Sequence, residues 1–330
     1  MTSIYQGQRV LITGGTGSLG KTLVETILRG TQGDVELIIY SRDEAKQASL
    51  RAKFPQENIH CVIGDVRDRK HLNHHCRGAD IILHTGALKR VDDGEYNVSE
   101  FIKTNLLGSE NVIHAAFKNN VTGALLVSTD KAVLPINAYG AAKMLAEKAF
   151  IDADYQSHKI NGPCFAIVRY GNIIASRGSV IPLFVDWARK GEPLKITRKD
   201  MTRFFMTLYD ACNLIEASLN HSQGGDVTVA KMSSVNMLEM AKAIIAHLKS
   251  TSDIEEIGIR PGEKVHESLV ADNAFVNVYD TGDYYIVGSP LVKREYEHPL
   301  AELKHYTSSN YVEYDPAWII AKIQSGGIEL

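Results

Sequence analysis

The feature that most constrains the fold is a glycine-rich turn near the start of the chain. Residues 9–12 form an apolar run typical of a buried strand, and residues 19–28 have an amphipathic helical pattern. Gly14, Gly17 and Gly20 lie around the junction. In such a turn the first glycine permits a tight bend, the second a close approach to a pyrophosphate, and the third packing of the helix on the strand. The turn therefore predicts a strand–turn–helix unit that binds a phosphate group.

Apolar runs continue to alternate with helical stretches through the first half of the chain. Further runs typical of strands cover residues 35–40, 58–63, 80–84, 124–128 and 165–168. Strands that alternate with helices form parallel sheets that are covered on both faces. The predicted fold class is therefore α/β, a Rossmann-like doubly wound parallel sheet with a smaller mixed α/β substrate-binding region.

The pattern changes after Arg169, where prolines and glycines interrupt it and helices are predicted at 210–219 and 237–248. We assign residues 1–175 to a cofactor-binding domain and residues 176–330 to a substrate-binding region that is interleaved with late strands of the sheet. The last segment, 300–330, contains Tyr306, Tyr311 and Tyr314. We expect either an extended tail that contacts a neighbouring molecule or a surface strand.

Composition excludes several classes of protein. The 330 residues are 44% hydrophobic, which argues against disorder, and 36 basic against 39 acidic side chains leave a net charge of −3. We therefore expect neither a nucleic acid polymer nor a membrane as a partner. Apolar runs are too short for a membrane span, and the first strand begins too early to leave room for a signal peptide. Four cysteines without a Cys-x-x-Cys pair are typical of reduced thiols, so the expected location is cytoplasmic.

A group of potential metal ligands follows the third predicted strand. His71, His74, His75 and Cys76 have a spacing that would bring them together on one helix face. Neither a carboxylate nor a second cysteine pair completes a site, so we favour a solvated helix and predict no metal.

The end of the second predicted strand indicates which nicotinamide cofactor binds. A Glu or Asp there would bind the 2′-hydroxyl of NAD, but Ser41 and Arg42 stand at this point. A guanidinium binds a 2′-phosphate through two hydrogen bonds. In the alternative, the carboxylate of Asp43 turns inward and binds the 2′-hydroxyl. The residues favour NADP over NAD, with Asp65 and Val66 beside the adenine.

A second polar group follows the fifth predicted strand. Thr129, Asp130 and Lys131 stand at its carboxyl end, where ligands bind in open α/β sheets. Tyr139 and Lys143 share a helix face, and an ammonium beside a phenol lowers the pKa of that phenol toward a useful base. With the glycine turn, Tyr-x-x-x-Lys is typical of the extended short-chain dehydrogenase/reductase superfamily. The adjacent acid and amine of Asp130 and Lys131 suit an elimination of water; the alternatives are a capped strand end and a surface helix.

Longer segments resemble one family of that superfamily, the inverting UDP-N-acetylglucosamine 4,6-dehydratases (5-epimerising). The resemblance runs from about residue 8 to residue 270. The related dTDP-glucose 4,6-dehydratases carry Thr-Asp-Glu where this chain has Thr-Asp-Lys, so Lys131 separates the two groups. The matching segments are Ser41-Arg42-Asp43-Glu44, Ala87-Leu88-Lys89, Thr129-Asp130-Lys131-Ala132, Pro135-Ile136-Asn137-Ala138-Tyr139-Gly140, Arg169-Tyr170-Gly171-Asn172, Ser176-Arg177-Gly178-Ser179-Val180-Ile181-Pro182, Met201-Thr202-Arg203-Phe204 and Arg260-Pro261-Gly262-Glu263-Lys264.

The resemblance implies a reaction and a role for each residue of the second polar group. Tyr139, with Lys143 and Thr129, would remove the proton of the sugar 4-hydroxyl while hydride passes from C4 to NADP. Lys131, kept neutral by its site, would take the C5 proton, and Asp130 would protonate the leaving 6-hydroxyl. Hydride would then return to C6, and a proton to C5 from the opposite face. The product would be UDP-2-acetamido-2,6-dideoxy-β-L-arabino-hexos-4-ulose, a precursor of surface polysaccharide or glycoprotein sugars.

The motifs and the resemblance also imply two sets of binding residues. Arginines would bind the diphosphate of UDP-N-acetylglucosamine and Glu263 its ribose or uracil, although structural ion pairing is the alternative for Arg203 and Arg260. The cofactor set is Gly14, Thr16, Gly17, Ser18, Leu19, Gly20, Ser41, Arg42, Lys46, Asp65, Val66, Ala87, Lys89, Tyr139 and Lys143. The substrate set is Lys89, Asn172, Arg177, Val180, Thr197, Arg203, Arg260 and Glu263. The resemblance also implies a homo-oligomer, either a dimer or a hexamer.

One departure from the family affects the sugar end of the predicted site. Residues 91–94 are Val-Asp-Asp-Gly where the family usually has a stretch that contains proline. Residues beyond 270 are similar to the subgroup that makes capsular or O-antigen sugar precursors. The alternatives to a dehydratase are a UDP-hexose 4-epimerase, which needs no Asp–Lys pair, and a non-catalytic NADP-binding regulator.

Overall fold

The computed structural model of the chain describes residues 3–174, 176, 178–272, 276–303 and 305–330. Its strands are β1 (Arg9–Thr13), β2 (Glu36–Ser41), β3 (Ile59–Ile63), β4 (Ile81–His84), β5 (Gly123–Val127), β6 (Cys164–Arg169), β7 (Asn172–Ile173), β8 (Leu194–Ile196), β9 (Thr202–Met206), β10 (Val227–Ala230), β11 (Ser234–Asn236), β12 (Ile254–Glu256), β13 (Ser268–Val270), β14 (Val278–Asp280), β15 (Tyr284–Val287), β16 (Tyr306–Thr307) and β17 (Val312–Glu313). Its α-helices are α1 (Ser18–Gly30), α2 (Glu44–Lys53), α3 (Arg69–His75), α4 (Val91–Tyr96), α5 (Val98–Phe101), α6 (Gly108–Asn119), α7 (Ala138–His158), α8 (Val180–Lys190), α9 (Leu208–His221), α10 (Met237–Leu248) and α11 (Pro316–Ser325). A π-helical turn, Ile102–Leu107, joins α5 to α6, and a 3₁₀ turn, Asp130–Ala132, follows β5.

Within the described residues the main sheet has nine strands, in the order β14-β15-β10-β6-β5-β4-β1-β2-β3. Neighbouring strands in the series β3-β2-β1-β4-β5-β6-β10 pair in parallel. The strands β15 and β14 extend this sheet with antiparallel pairs. This sheet confirms the predicted α/β doubly wound fold, and β1 to β6 begin and end within one residue of the predicted strands. The chain runs outward from β1 to β3 and then returns to β4 on the other side of β1. Ligands bind at such a reversal, beside the carboxyl ends of the strands.

The first helix shows why the sequence folds in this way. In α1 the buried residues Gly20, Leu23, Val24 and Ile27 follow the helical spacing of one apolar face. This face packs into a core with the fully buried side chains of β1, β2 and β4. The packing fixes the direction of α1, so its first turn points at the carboxyl end of β1.

A second, smaller core lies in the later part of the chain. It is built from α8, α10, α11 and short strands, with Phe184, Ile196, Ile244 and Ile319 among its buried side chains. The four-stranded sheet β17-β11-β9-β7 and the pair β12-β8 belong to this part. Because β10, β14 and β15 also come from the second half of the chain, the main sheet and the smaller region share sequence segments.

The C-terminal segment corrects one expectation. Neither an extended tail nor a single surface strand describes residues 305–330, which form β16, β17 and α11 against their own chain. Tyr306 is buried, and its hydroxyl donates to the carbonyl oxygen of Met232 at 2.8 Å. Tyr311 and Tyr314 are exposed. The helix α11 buries its apolar face in the second core, because its isoleucines recur at helical spacing.

Candidate active site

A cleft of about 1130 Å³ opens beside the carboxyl ends of the parallel strands. One wall comes from the glycine turn and the ends of β2, β3 and β4, and the other comes from α8, β9 and the loop at 260–263. Every residue of the predicted cofactor set lines this cleft. The main sheet and the smaller region therefore face each other across a single cavity.

The glycine turn has the shape that a phosphate group requires. Gly14 has a φ of +68°, and a Cβ atom there would lie 2.7 Å from the Cα of Gly86. A Cβ on Gly20 would lie 2.4 Å from the Cα of Gly15, so this glycine packs on the turn itself. The N-cap of α1, Gly17, offers no side-chain acceptor, and the first turn holds no acidic residue. The free N–H groups of α1 therefore fit an anion such as a dinucleotide pyrophosphate.

The end of β2 presents cationic groups to the same cleft. The Arg42 guanidinium is about half exposed and lies 3.8 Å from a carboxylate oxygen of Asp65. Asp43, the alternative anchor for a ribose hydroxyl, instead caps α2 by accepting the Lys46 N–H at 2.9 Å and also pairs with the Lys46 ammonium. Because the Asp43 carboxylate holds the helix end, the geometry favours Arg42 and Lys46 as the groups that face a ribose or its phosphate.

The polar group after β5 forms a compact buried cluster. The Thr129 hydroxyl donates to Oδ1 of Asp130 at 2.9 Å. The Lys131 ammonium donates to the same oxygen at 3.0 Å and to Oδ1 of Asn172 at 3.2 Å. Asp130 is fully buried, whereas Lys131 reaches the cleft. The turn after β5 thus delivers an acid and an amine to one point.

The structure adds a residue to this cluster that the sequence analysis missed. Glu267 is 2% exposed, and its Oε1 lies 3.3 Å from the Lys131 ammonium. Its other carboxylate oxygen lies 3.6 Å from the Lys264 ammonium. Glu267 stands three residues after the matching segment 260–264. Extending that segment to the next acidic residue would have found it.

The charges of the cluster differ from those expected. Burial raises the pKa of Asp130, and the Glu267 carboxylate adds to this, although Lys131 opposes both. Burial alone would lower the pKa of Lys131, but Asp130 and Glu267 outweigh it and raise that pKa above its ordinary value. The expectation that the site keeps Lys131 neutral is therefore wrong, because a second carboxylate holds its proton.

Tyr139 and Lys143 lie on the buried face of α7, as their spacing predicts. Burial raises the pKa of Tyr139, and the main groups that lower it are Lys131 and the Thr129 hydroxyl rather than the expected Lys143. The Lys143 ammonium donates to the carbonyl oxygen of Val127 at 2.6 Å. Burial lowers the pKa of Lys143 to about 8, with Glu147 opposing the shift.

The predicted substrate residues fall into three groups. Lys89, Asn172, Val180 and Thr197 line the cleft, as do Arg260 and Glu263, which form an ion pair at 3.1 Å. Arg203 also borders the cleft but is buried and donates to three backbone carbonyls, those of Thr202, Lys264 and Val265. Its guanidinium therefore organises the 260s loop. Arg177 lies outside the described residues.

The described residues lack two further features, a metal centre and a membrane-spanning helix. No group of three or more His, Cys, Asp or Glu side chains there is arranged to hold a metal ion. The ring of His71 instead lies 3.0 Å from the Tyr40 hydroxyl. No helix in the described ranges is both long enough and apolar enough to cross a membrane.

Comparison with known proteins places these features in a family. Residues 10–289 match the family described as polysaccharide biosynthesis protein. The chain is 40% identical to a UDP-glucose 4-epimerase of Rickettsia massiliae, over 93% of this chain and 92% of that protein. It is 38% identical to an inverting UDP-N-acetylglucosamine 4,6-dehydratase of Campylobacter jejuni, over 88% of this chain and 85% of that protein.

A solved structure extends the likeness over almost the whole fold. Pen from Bacillus thuringiensis has a TM-score of 0.91 and 31% identity, with 98% of this chain and 99% of that chain covered. The two relatives above carry names of different reactions, one an epimerisation and one a dehydration. Both the matched range and these identities lead to one conclusion: the chain belongs to the polysaccharide biosynthesis protein family, within the extended short-chain dehydrogenase/reductase superfamily.

Proposed function

We propose that this protein is an NADP-dependent, inverting UDP-N-acetylglucosamine 4,6-dehydratase. The observation that carries the proposal is the buried contact between Asp130 and Lys131, 3.0 Å apart, beside Tyr139 at the cleft. Oxidation at one carbon needs only the tyrosine and its cofactor, whereas elimination of water needs a further acid and base. The 38% identical Campylobacter jejuni dehydratase supports the same reaction.

Each residue of the cluster carries out a different proton transfer in the elimination of water. Tyr139 accepts the proton of the sugar 4-hydroxyl, with Lys131 and Thr129 favouring its phenolate. A nicotinamide held by the glycine turn would supply the acceptor for the C4 hydride and the hydride source for C6. The 4-ketone so formed acidifies C5–H, and Lys131 takes that proton after losing its own. Asp130, whose pKa is raised by burial, gives its proton in the protonated form to the leaving 6-hydroxyl.

The second candidate function is 4-epimerisation of a UDP-hexose. The 40% identical Rickettsia massiliae protein named UDP-glucose 4-epimerase favours it. Such a reaction uses Tyr139 and Lys143 but gives no role to Asp130 and Lys131. The third candidate is a protein that binds these ligands without turning them over.

The identity of the product distinguishes these functions. The protein is incubated with NADP and UDP-N-acetylglucosamine, and the products are analysed by mass spectrometry and by NMR in deuterated water. We expect loss of one water, a 6-deoxy-4-ketone, and deuterium at an inverted C5. An unchanged mass with inversion at C4 would identify an epimerase, and recovery of unchanged substrate would identify a binding protein.

Several finer features accompany the proposal. Residues 1–175 bind the cofactor and residues 176–330 the UDP-sugar, with the substrate set as predicted except that Arg203 acts mainly through the 260s loop. We propose NADP rather than NAD because the Arg42 guanidinium faces the cleft, whereas the carboxylate of Asp43, which also lines the cleft, caps α2 and pairs with Lys46. A homo-oligomer, a cytoplasmic location and a role in capsule or O-antigen precursors remain predictions.

A further inference from the structure

The Lys131 ammonium lies close to three oxygen atoms. It donates to Oδ1 of Asp130 at 3.0 Å and to Oδ1 of Asn172 at 3.2 Å, and it forms an ion pair with Oε1 of Glu267 at 3.3 Å. An ammonium has three donors and no lone pair. In this state Lys131 cannot accept a proton from a sugar carbon, so its function as a base requires a prior loss of one proton.

Two of the three acceptors are unsuited to take that proton. The Asn172 amide oxygen is a very weak base, and Asp130 already tends to be protonated because burial raises its pKa. Glu267 is different: Lys131, Arg203 and Lys264 outweigh the effect of its burial and lower its pKa, so it is a carboxylate. Its Oε2 is buried and has no hydrogen-bond partner among the described residues.

The ion pair of Lys131 and Glu267 is surrounded by groups from four parts of the chain. Asp130 and Lys131 belong to the turn after β5, Tyr139 to α7, Arg203 to β9, and Lys264 to the loop before β13. Lys264 is anchored by donation to the carbonyl oxygen of Val133 at 2.6 Å. A sugar that fills the cleft would exclude water from this cluster, and excluding water raises the cost of keeping charges separated. Transfer of one proton from Lys131 to Glu267 neutralises both groups at once.

We propose that Glu267 accepts a proton from Lys131 and so converts it into the base that attacks C5. This inference rests on the proposed dehydratase function. In the transfer, an N–H bond of Lys131 breaks and an O–H bond forms on Glu267, and the freed lone pair then takes the C5 proton. Lys131 is then again an ammonium and Glu267 a carboxylic acid, which releases its extra proton to water. Water supplies the proton that C5 receives from the opposite face, and the proton that Tyr139 took from the 4-hydroxyl restores Asp130. Glu267 acts through Lys131 and is a positioning residue for the reaction.

The test compares Glu267→Gln with the wild type across a pH series. The glutamine keeps the size of the side chain but cannot accept a proton, so Lys131 must lose its proton to solvent. Because the substitution also removes a carboxylate that raises the pKa of Lys131, a fall in rate reports the missing proton acceptor and not a tighter hold on the lysine proton. We expect dehydration to fall by about 10²-fold near neutral pH, the scale of a lost general base, and to recover as the pH rises. The wild-type rate should change little over the same range. Reduced cofactor, followed by its absorbance, should accumulate in the variant because the C4 oxidation does not need Glu267.

Two further variants keep the test decisive. Glu267→Asp retains a carboxylate and should restore the shallow pH profile, even at a lower rate. Glu239→Gln removes the carboxylate of an exposed Lys–Glu pair, that with Lys242 at 2.8 Å, and should behave as the wild type. Should Glu267→Gln fail to fold, a steep alkaline profile in Glu267→Asp would overturn the inference and a shallow one would support it.

The outcomes separate this inference from the proposed function. Wild-type dehydration with the same pH profile in Glu267→Gln would overturn the role of Glu267 alone. A wild-type protein that removes no water from UDP-N-acetylglucosamine would overturn the proposed function, and this inference with it.

Discussion

At the scale of single residues, the candidate site is determined by where protons reside. Asp130 and Lys131 are adjacent in sequence, and both have raised pKa values for opposite reasons. Burial and the charge of Glu267 favour the protonated form of Asp130, while Glu267 and any negative charge on Asp130 favour the ammonium of Lys131. The cluster therefore holds both protons more tightly than isolated side chains would, and Lys131 must lose its own before it can act as a base.

Removing either member of the Asp–Lys pair should stop dehydration. We expect Lys131→Ala and Asp130→Asn to lower the rate of water loss by at least about 10²-fold. NADP affinity, measured by fluorescence titration, should stay near that of the wild type, because neither residue belongs to the glycine turn. Lys242→Ala, at an exposed ion pair on α10, serves as the control. Dehydration at the wild-type rate in either variant would contradict the proposed mechanism.

Lys143 should lower the stability of the protein. Its pKa falls from 10.5 to about 8 on burial, which corresponds to roughly 3 kcal/mol against the charged form. Lys143→Met removes this cost but also leaves the Val127 carbonyl without its donor, a loss of about 1 kcal/mol. We expect a gain of about 1–2 kcal/mol in the free energy of unfolding near neutral pH, measured in urea, together with loss of catalysis.

The pH dependence of this gain has a definite sign. Between about 8 and 10.5 the unfolded chain binds more protons at this lysine than the folded chain, so the wild type gains stability as the pH rises. The difference between Lys143→Met and the wild type should therefore shrink over that interval. A difference that stays constant would mean that Lys143 is not titrating there.

Arg42 should set the preference for NADP. Its guanidinium is half exposed at the cleft and lies 3.8 Å from a carboxylate oxygen of Asp65. Arg42→Ala should weaken NADP binding by about 1.5–3 kcal/mol, the scale of a hydrogen bond to a charged group, while NAD binding changes little. Isothermal titration with both cofactors measures this. Equal losses for NADP and NAD would assign Arg42 no role at the 2′-phosphate.

At the scale of elements, the helix that carries Tyr139 is held by its first residues. Oδ1 of Asn137, the N-cap of α7, accepts the Gly140 N–H at 2.7 Å, and its Nδ2 donates to the Gly262 carbonyl at 2.7 Å. The Ala138 N–H donates to Glu95 at 2.7 Å. The start of α7 thus joins two loops that border the cleft.

Two substitutions at Asn137 should separate its two roles. Asn137→Asp keeps the acceptor for the helix N–H but replaces the donor to Gly262 with a carboxylate oxygen, so we expect a loss of about 1 kcal/mol of stability and a rise in KM for the UDP-sugar. Asn137→Ala loses both and should cost about 1 kcal/mol in addition. Thermal unfolding and steady-state kinetics provide the two measurements. An unchanged KM in Asn137→Asp would show that the bond to Gly262 does not position the 260s loop.

At the scale of the whole molecule, the cleft lies between two hydrophobic cores. The larger core holds the main sheet and its helices, and the smaller one holds α8, α10 and α11. The C-terminal helix contributes Ile319, Ile320 and Ile323 to the smaller core. Residues far from the cleft in sequence therefore support the wall that we assign to the UDP-sugar.

Weakening the smaller core should affect the sugar more than the cofactor. Ile319 is 1% exposed, and Ile319→Ala should lower the free energy of unfolding by about 2–4 kcal/mol. We expect KM for the UDP-sugar to rise while NADP affinity remains, since the glycine turn belongs to the other core. Ile160→Ala, at a side chain that is 67% exposed, is the matched control. Equal weakening of both ligands would mean that the two cores respond as one unit.

Features that depend on short-range pattern could be predicted from the amino-acid sequence alone. Apolar runs and glycines locate β1 to β6 and the turn before α1, because burial and backbone freedom act on neighbouring residues. The spacing of Tyr139 and Lys143 places both on one face of α7 for the same reason. The C-terminal segment was mispredicted, since its short strands pair with β11 and β13, far away in sequence.

The directions of the pKa shifts in the cluster depend on the tertiary structure. Glu267 contacts Lys131 although more than a hundred residues separate them in the sequence. Arg203, which the resemblance assigned to the diphosphate, instead donates hydrogen bonds to backbone carbonyls of the 260s loop. A pKa depends on every charge and on the burial around a group, whichever part of the chain supplies them. The residues of the site could therefore be found largely in the sequence, but the proton on Lys131 could be located only once the chain was folded.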